Sequence, residues 1–410
     1  MRRIITASYT TYYNISNKGS HMNITNTAEI RSQNKKKIIE YLRNESSTKK
    51  IMSDRLELSF ATVSNLCNQL IEEEILQITS SMSSKGGRIP GLISIRPNSK
   101  YTLCLDFNNA EDARVALVNL SNELVDCTKV VIQESADYSQ YLQAYYDAAL
   151  GLLEKHSISH SQLLGVGAAI PGIFYKKNNT VINSTNALFE NKPMKLDIEQ
   201  KFGLPAYLEN ESNLLALASL LKDQVKGSSA DIVYIYLGEG LGVGITSRGS
   251  LLTGTRGLGG EISHMGIGAR SFPCYCGKAG CIESELTISG FYRKLRGAKA
   301  ALPDNPGEWW GHFVKEVLSG EPAAVDVIAE NGRLLGSLVS VLANIFDPDE
   351  VYIGGFIEGI FPVLHPYIVE EAQSRMATHE YFFPSIRGSA GYEHLLIQGC
   401  GELVFKQWNP

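Results

Sequence analysis

No stretch of about 18 consecutive apolar residues occurs in the chain, which excludes a membrane-spanning helix. The first residues carry a basic Arg2-Arg3 pair with no apolar segment behind it, so they do not read as an export signal. Cysteine is scarce: Cys67, Cys104, Cys127, Cys274, Cys276, Cys281 and Cys400 make an odd set. Without an export signal, that set fits a reducing cytoplasm and excludes a disulfide scaffold. Net charge is small, −5, which taken alone discourages a nucleic-acid partner. A hydrophobic share of 44% against 20% charged leaves disorder out as well.

The small net charge hides an asymmetry. Residues 22–100 hold 12 Lys+Arg against 8 Asp+Glu, residues 1–21 hold three basic residues and no acid, and the remainder carries −12. Such a split suits a basic nucleic-acid module on an acidic body. Gly19-Ser20-His21-Met22 reads as an expression scar with Met22 as the natural start, so residues 1–21 are expected to be a scar or a disordered arm outside the fold.

Residues 22–97 have the pattern of a winged helix-turn-helix. Ile38, Ile39 and Leu42 share one face of a first helix, and Ser46-Ser47-Thr48 can cap a second helix that runs to about Leu56. Ser59 can cap a third helix from Phe60 to about Glu74, in which Val63, Leu66 and Leu70 face inward. Ser59, Ala61, Thr62, Ser64, Asn65 and Asn68 are the small or hydrogen-bonding residues that a recognition helix brings to base edges. Apolar runs at 75–78 and 92–95 predict a hairpin, and its tip puts Lys85 and Arg88 beside Gly86-Gly87, as a phosphate-contacting wing does.

Beyond a linker at 97–100 the pattern turns to α/β, and one layout occurs twice. Strands at 101–106, 114–119 and 123–132 form a meander, and strands at 232–237, 243–247 and 251–252 form another. Helices at 138–155 and 287–299 follow the two meanders, with further strands at 164–168, 206–209 and 350–354. This duplication predicts an actin-like (ribonuclease H-like) fold with lobes at 101–230 and 231–410, the last helix returning to the first lobe. Residues 323–346 read as a helix apolar around most of its circumference, buried in a core or a subunit interface.

His264, Cys274, Cys276 and Cys281 fall within 18 residues. One imidazole and three thiolates suit tetrahedral Zn²⁺ and leave no coordination position for water, so the expected site is structural.

The segment Gly260-Glu261-Ile262-Ser263-His264, followed by Cys274-x-Cys276-Gly277-x-x-Gly280-Cys281-Ile282-Glu283, resembles the signature of the ROK family (repressor, open reading frame, kinase). Gly167 to Gly172, Glu209-Asn210, Asn213 and the Asp347-Pro348 to Gly354-Gly355 stretch match as well, and the resemblance spans about 101–408. With the helical module it extends from about residue 32 and points to the regulator branch, that of the N-acetylglucosamine, xylose and glucose repressors. The resemblance implies a sugar site in an interlobe cleft, with Asn210, Glu261, His264 and Glu283 on sugar hydroxyls and Asn186 as a further contact. His264 would then serve both the metal and the sugar. Glu211 falls at the position of the kinases' general base and is counted with the sugar-binding residues. The chemistry agrees, because carboxylates and amides around a ring satisfy hydroxyls that both donate and accept.

The kinase branch is matched less well. Its first phosphate loop is replaced by Asp106-Phe107-Asn108-Asn109-Ala110, without glycines that let a backbone approach phosphate. Its second loop becomes Gly238-Glu239-Gly240-Leu241-Gly242, with a carboxylate where a phosphate-binding hydroxyl belongs. The base position carries Glu211, one methylene longer than the usual Asp, so no residue is assigned as catalytic and ATP is not an expected cofactor. The expected protein is a cytoplasmic, sugar-responsive repressor of carbohydrate-utilisation genes, a homodimer or homotetramer on a pseudo-palindromic operator. The alternative is an ATP-dependent sugar kinase with an appended DNA-binding domain.

Overall fold

A computed structural model describes residues 27–79, 91–108, 112–222, 230–268, 270–377 and 380–410. Residues 1–21 and the wing-tip residues Lys85 and Arg88 lie outside them, as do Asn109 and Ala110 of the first loop.

The N-terminal module consists of α1 (Thr27–Asn44), α2 (Lys49–Arg55), α3 (Phe60–Glu72) and the antiparallel strands β1 (Leu76–Thr79) and β2 (Leu92–Ile95). Its strand register pairs Leu76 with Ile95 and Thr79 with Leu92. Thr48 caps α2 by accepting the Ile51 N–H, and Ser59 caps α3 by accepting the Thr62 N–H at 3.0 Å, which satisfies donors that a helix start leaves open. Ile38, Ile39, Met52, Val63, Leu66, Leu70 and Ile93 close a small core between the helices and the hairpin.

The body repeats one plan. The first sheet is built from β3 (Tyr101–Asp106), β4 (Arg114–Asn119), β5 (Leu124–Lys129), β6 (Leu163–Ala169) and β9 (Ala206–Glu209), with α4 (Tyr138–Lys155), α5 (Met194–Phe202) and a hairpin of β7 (Ile173–Tyr175) and β8 (Thr180–Ile182) between them. The second sheet takes β10 (Ile232–Leu237), β11 (Leu241–Ser247), β12 (Ser250–Leu251), β13 (Glu350–Gly355) and β14 (Ser385–Ser389). Both sheets run third, second, first, fourth, fifth: β5-β4-β3-β6-β9 and β12-β11-β10-β13-β14. In each the first three strands are antiparallel and the last two parallel. The central strands β3 and β6 are buried on both faces, and their continuous apolar runs reflect that.

Helices α7 (Glu283–Leu286), α8 (Ile288–Arg296), α9 (Pro306–Ser319), α10 (Pro322–Phe346) and α11 (Phe361–Arg375) cover the second sheet, with Phe291, Trp310, Phe313 and Leu335 in the core beneath. The long apolar helix foreseen at 323–346 is α10, which buries 14 residues; Ile345 near its end stays exposed. Between the sheets lie α6 (Glu211–Ser219) and α12 (Tyr392–Gln407), sharing a third core with Cys104, Val118, Tyr234 and Tyr352.

Several boundaries differ from the sequence pattern. The strand expected at 123–132 ends at Lys129, beyond which Val131 points into solvent at 88% exposure. The helix expected over 287–299 stops at Arg296, because Gly297 takes φ 104°, a conformation that favours glycine. No described helix is long and apolar enough to cross a membrane.

Candidate functional site

The metal-type cluster sits in the loop between β12 and α7. His264, Cys274, Cys276 and Cys281 place their ligand atoms within 4.8 Å of one another. Cys274 Sγ lies 3.5 Å from His264 Nδ1, and Cys276 Sγ lies 3.6 Å from Cys281 Sγ. Bond lengths of about 2.3 Å to sulfur and about 2.0 Å to nitrogen give tetrahedron edges of about 3.5–3.8 Å, so the spacing fits a four-coordinate metal. A tight turn forms the cluster: Cys274 N–H donates to Lys278 O at 2.9 Å, and Gly277 N–H donates to Cys274 O at 3.0 Å. The backbone N–H of Lys278 lowers the Cys276 thiol below its ordinary range, while burial pushes the neighbouring Cys281 thiol up to about 11. The group could hold a metal ion through these four residues.

A cleft of about 380 Å³ opens between the two sheets, lined by Asn210, Glu211, Glu261 and Glu283 together with Asn183, Thr185, Ser212, Tyr236, Glu239, Tyr275 and Tyr392. Asn210 caps α6, accepting the Asn213 N–H at 2.9 Å, and turns its amide toward Glu261 Oε1 at 3.4 Å. Gly260 makes this approach feasible: at φ 89° its missing Cβ would stand 2.3 Å from the Val243 carbonyl, so only glycine lets the Glu261 segment lie against β11. Glu283 is buried, and its Oε2 accepts the Leu241 N–H at 3.1 Å.

Burial pushes the Glu261 carboxyl up to about 7, with the neighbouring Glu283 and Glu209 charges adding to the effect. Burial also raises Glu211 to about 7. There the Tyr392 hydroxyl, donating to Oε2 at 2.6 Å, acts in the opposite direction, and Asp106 and Glu239 reinforce the rise. Asp106 itself is pushed up to about 6 by burial. Glu239 of the second loop lines the cleft beside Glu211, a carboxylate that opposes a triphosphate. Unit charges 4 Å apart interact by about 1 kcal/mol even in bulk water.

The six candidate sugar residues do not all meet. Asn210, Glu211, Glu261 and Glu283 line the cleft. Asn186 instead folds its Oδ1 back onto the Leu188 N–H at 3.0 Å and is not among the lining residues; Asn183 and Thr185 of the same loop are. His264 directs Nδ1 at Cys274, packs edge-on against Tyr275 and is not itself among the lining residues, though Tyr275 is. Tyr236 and Tyr392 have no local motif that singles them out.

On the helical module, Ala61, Asn65 and Asn68 are exposed along α3, while Thr62 and Ser64 are half-buried. Ser59 and Thr62 share their hydroxyls at 2.8 Å in the cap. Lys49 of α2 donates to Asn68 Oδ1 at 2.7 Å and to Ser64 Oγ at 3.2 Å, so a cation accompanies the polar face of α3.

A duplicated actin-like body with an acid-lined interlobe cleft defines a class shared by sugar kinases and regulators, and here it is joined to a helix-turn-helix module. The family profile described as "ROK family" matches residues 103–389, and the chain belongs to that family. It is 27% identical over 363 residues to the xylose repressor of Caldicellulosiruptor bescii, covering 86% of this chain and 90% of that protein. It is 28% identical over 257 residues to the glucokinase of Halalkalibacterium halodurans, covering 59% of this chain and 76% of that one. Among solved structures, a ROK family transcriptional regulator homologous to the Escherichia coli MLC protein superposes with a TM-score of 0.76 at 20% identity, over 92% of this chain and 96% of that one. The matches to the repressor and the solved regulator, at 86% and 92% of the chain, are longer than the body alone, whereas the glucokinase match, at 59%, is shorter than the body.

Proposed function

We propose that this protein is a sugar-responsive DNA-binding repressor of carbohydrate-utilisation genes. The observation that carries the reading is the lining of the cleft. Asn210, Glu211, Glu261 and Glu283 converge where a polyol would sit, while the second phosphate loop brings the Glu239 carboxylate to the same cleft. The relatives named as xylose repressors, whose matches run beyond the body over 86% and 88% of the chain, support it. In this reading Asn210, Glu211, Glu261 and Glu283 take sugar hydroxyls, and His264, Cys274, Cys276 and Cys281 hold a structural Zn²⁺ that shapes the loop beside them. Ala61, Thr62, Ser64, Asn65 and Asn68 face base edges, with Lys85 and Arg88 at the wing. The protein works as a homodimer or homotetramer on a pseudo-palindromic operator, in the reducing cytoplasm that free zinc-binding thiols require.

The deciding experiment titrates DNA from upstream of the protein's own coding sequence, against random DNA, with D-xylose, D-glucose and N-acetyl-D-glucosamine added in turn. Preference for the upstream DNA, changed by one of the sugars, is expected; equal affinity for both DNAs at moderate salt overturns the reading. The names of the relatives put D-xylose first in the panel. The kinase alternative is tested by coupled ADP release over the same sugars, where robust turnover would reverse the assignment.

Two results follow for the parts. Cys276→Ser removes one of four ligands, so metal content by elemental analysis falls well below the about one zinc per chain expected of the parent. Unchanged stoichiometry refutes the ligand set. Lys49→Ala removes a cation from the polar face of α3, so the slope of log affinity against log salt becomes shallower by about 0.9, with little change in sequence preference. An unchanged slope takes Lys49 out of the phosphate interface.

A further inference from the structure

Glu211 stands where kinases keep their base, yet its partner comes from the far end of the chain. Tyr392, the first residue of α12, donates its hydroxyl to Glu211 Oε2 at 2.6 Å. Its ring stacks on Tyr236 with centroids 5.0 Å apart. Ten residues further along the same helix, Glu402 pairs with Arg43 of α1 at 2.9 Å, and both side chains are almost fully buried, at 5% and 8% exposure. The Arg43 guanidinium lies 3.9 Å from the Phe405 ring centroid, and Lys36 of α1 donates to the Lys406 carbonyl. One helix of 16 residues, about 24 Å long, thus has its first turn in the cleft and its last turns under the DNA-binding module.

That helix is held as a strut. Gly399 backs onto α6 so closely that a Cβ there would lie 2.2 Å from the Leu214 carbonyl. Residues 395–397 and 399–405 are buried, so α12 has little room to bend between its ends. A packed, rigid element transmits a shift at one end to the other, because close-packed interfaces change between discrete arrangements rather than deforming continuously.

We propose that α12 carries the state of the cleft to the DNA-binding module, with Tyr392 as the residue that senses occupancy and the Glu402–Arg43 pair as its output. The proposal rests on the polyol reading of the cleft. A ligand hydroxyl that bonds Glu211 Oε2 takes the acceptor now used by Tyr392. The displaced phenol loses its hydrogen bond in a largely buried place, a cost that favours moving the first turn of α12 over leaving the group unpaired. At the other end a desolvated ion pair stays stable only while its geometry holds, so a small displacement favours one docking of α1 over another.

Tyr392→Phe tests the sensor, since it keeps the ring on Tyr236 and removes only the hydroxyl. Glu402→Gln tests the output at a residue remote from the cleft. Full-length parent and variants are titrated with the upstream DNA, with and without saturating D-xylose, D-glucose or N-acetyl-D-glucosamine, and sugar binding is read by calorimetry. In the parent the bound sugar changes operator affinity by roughly 5–150-fold. In both variants that ratio is expected to fall below about twofold, while Glu402→Gln, remote from the cleft, still binds the sugar within about tenfold of the parent, a shift of about 1.4 kcal/mol. A parent that responds and variants that respond equally overturn the relay alone. A parent that binds DNA but none of the three sugars overturns the polyol reading, and the relay falls with it. A Glu402→Gln variant that loses sugar binding altogether also counts against the relay, because it makes Glu402 a support of the site rather than its output.

Discussion

Lys294→Met is expected to destabilise the body by about 3–5 kcal/mol, the typical cost of leaving one member of a buried ion pair uncompensated. Lys294 of α8 and Glu285 of α7 are both completely buried and stand 3.0 Å apart. Lys294 also donates to Asn331 Oδ1 at 3.0 Å and lies 3.4 Å from Glu330, both on α10. Glu285 in turn accepts the Arg270 N–H at 2.6 Å through its other oxygen, and the Arg270 guanidinium pairs with Glu330 at 2.7 Å and 2.8 Å. Removing the ammonium leaves Glu285 charged in a place without water, while the thioether restores only the packing of the stem. Natural stability is about 5–15 kcal/mol, so the loss would be a large share of the total. It would appear as a lowered denaturant midpoint for the body transition.

The same network joins the cysteine loop to α10, so the effect should not stop at stability. Arg270 lies between His264 and Cys274, and Glu285 holds its backbone. Metal retention against a chelator should therefore weaken in Lys294→Met along with the midpoint. Adding Glu285→Gln removes the stranded charge and keeps an acceptor for the Arg270 N–H, so the double variant should recover most of the loss. A single variant that costs under about 1 kcal/mol, or a double variant less stable than the single, would show that the pair is not desolvated as the geometry implies.

Much of this fold was legible because its signals are local. Alternating and continuous apolar runs marked β3, β4, β6, β10 and β13, and Ser59 and Thr48 announced helix starts that the structure caps with their side chains. Ligand-type residues packed into a single loop made the metal cluster visible as spacing alone. What stayed hidden depends on register across long separations. Glu211 and Tyr392 are 181 positions apart, and Arg43 and Glu402 more than 350, so no window of sequence contains either pair. Asn186 is a different case. Its loop does reach the cleft, but the Asn186 side chain is used locally to hold a turn, as short amides often are, and Asn183 and Thr185 take the lining positions. The buried Lys294 escaped because a lysine in a helix rich in Arg and Lys reads as a solvated face.

Glu261→Gln is expected to weaken sugar binding by about 100-fold, the equivalent of one charged hydrogen bond at about 2.7 kcal/mol, with DNA binding left intact. The variant would keep the operator affinity of the empty protein at sugar concentrations that change the parent's. The pH dependence gives a sharper check. Burial beside Glu283 and Glu209 holds the empty Glu261 carboxyl at about 7, so near pH 6 it is mostly protonated. A carboxyl raised in this way contributes stability that is present below its ordinary range and is lost as pH rises through 7. Glu211, also at about 7, acts in the same direction, so the empty protein should lose thermal stability between pH 5 and pH 8. Sugar hydroxyls reverse the preference at Glu261, because hydrogen bonds to an ionised acceptor are roughly twice as strong as neutral ones. Binding near pH 6 should then release a proton, visible as a buffer-dependent calorimetric heat, and affinity should rise by up to about tenfold per pH unit until the carboxyl is already ionised. Glu261→Gln should flatten that rise while leaving the part due to Glu211. A parent whose sugar affinity is level from pH 6 to pH 8 would mean that Glu261 meets the ligand as a neutral donor. In that case the Gln variant should cost far less than 100-fold.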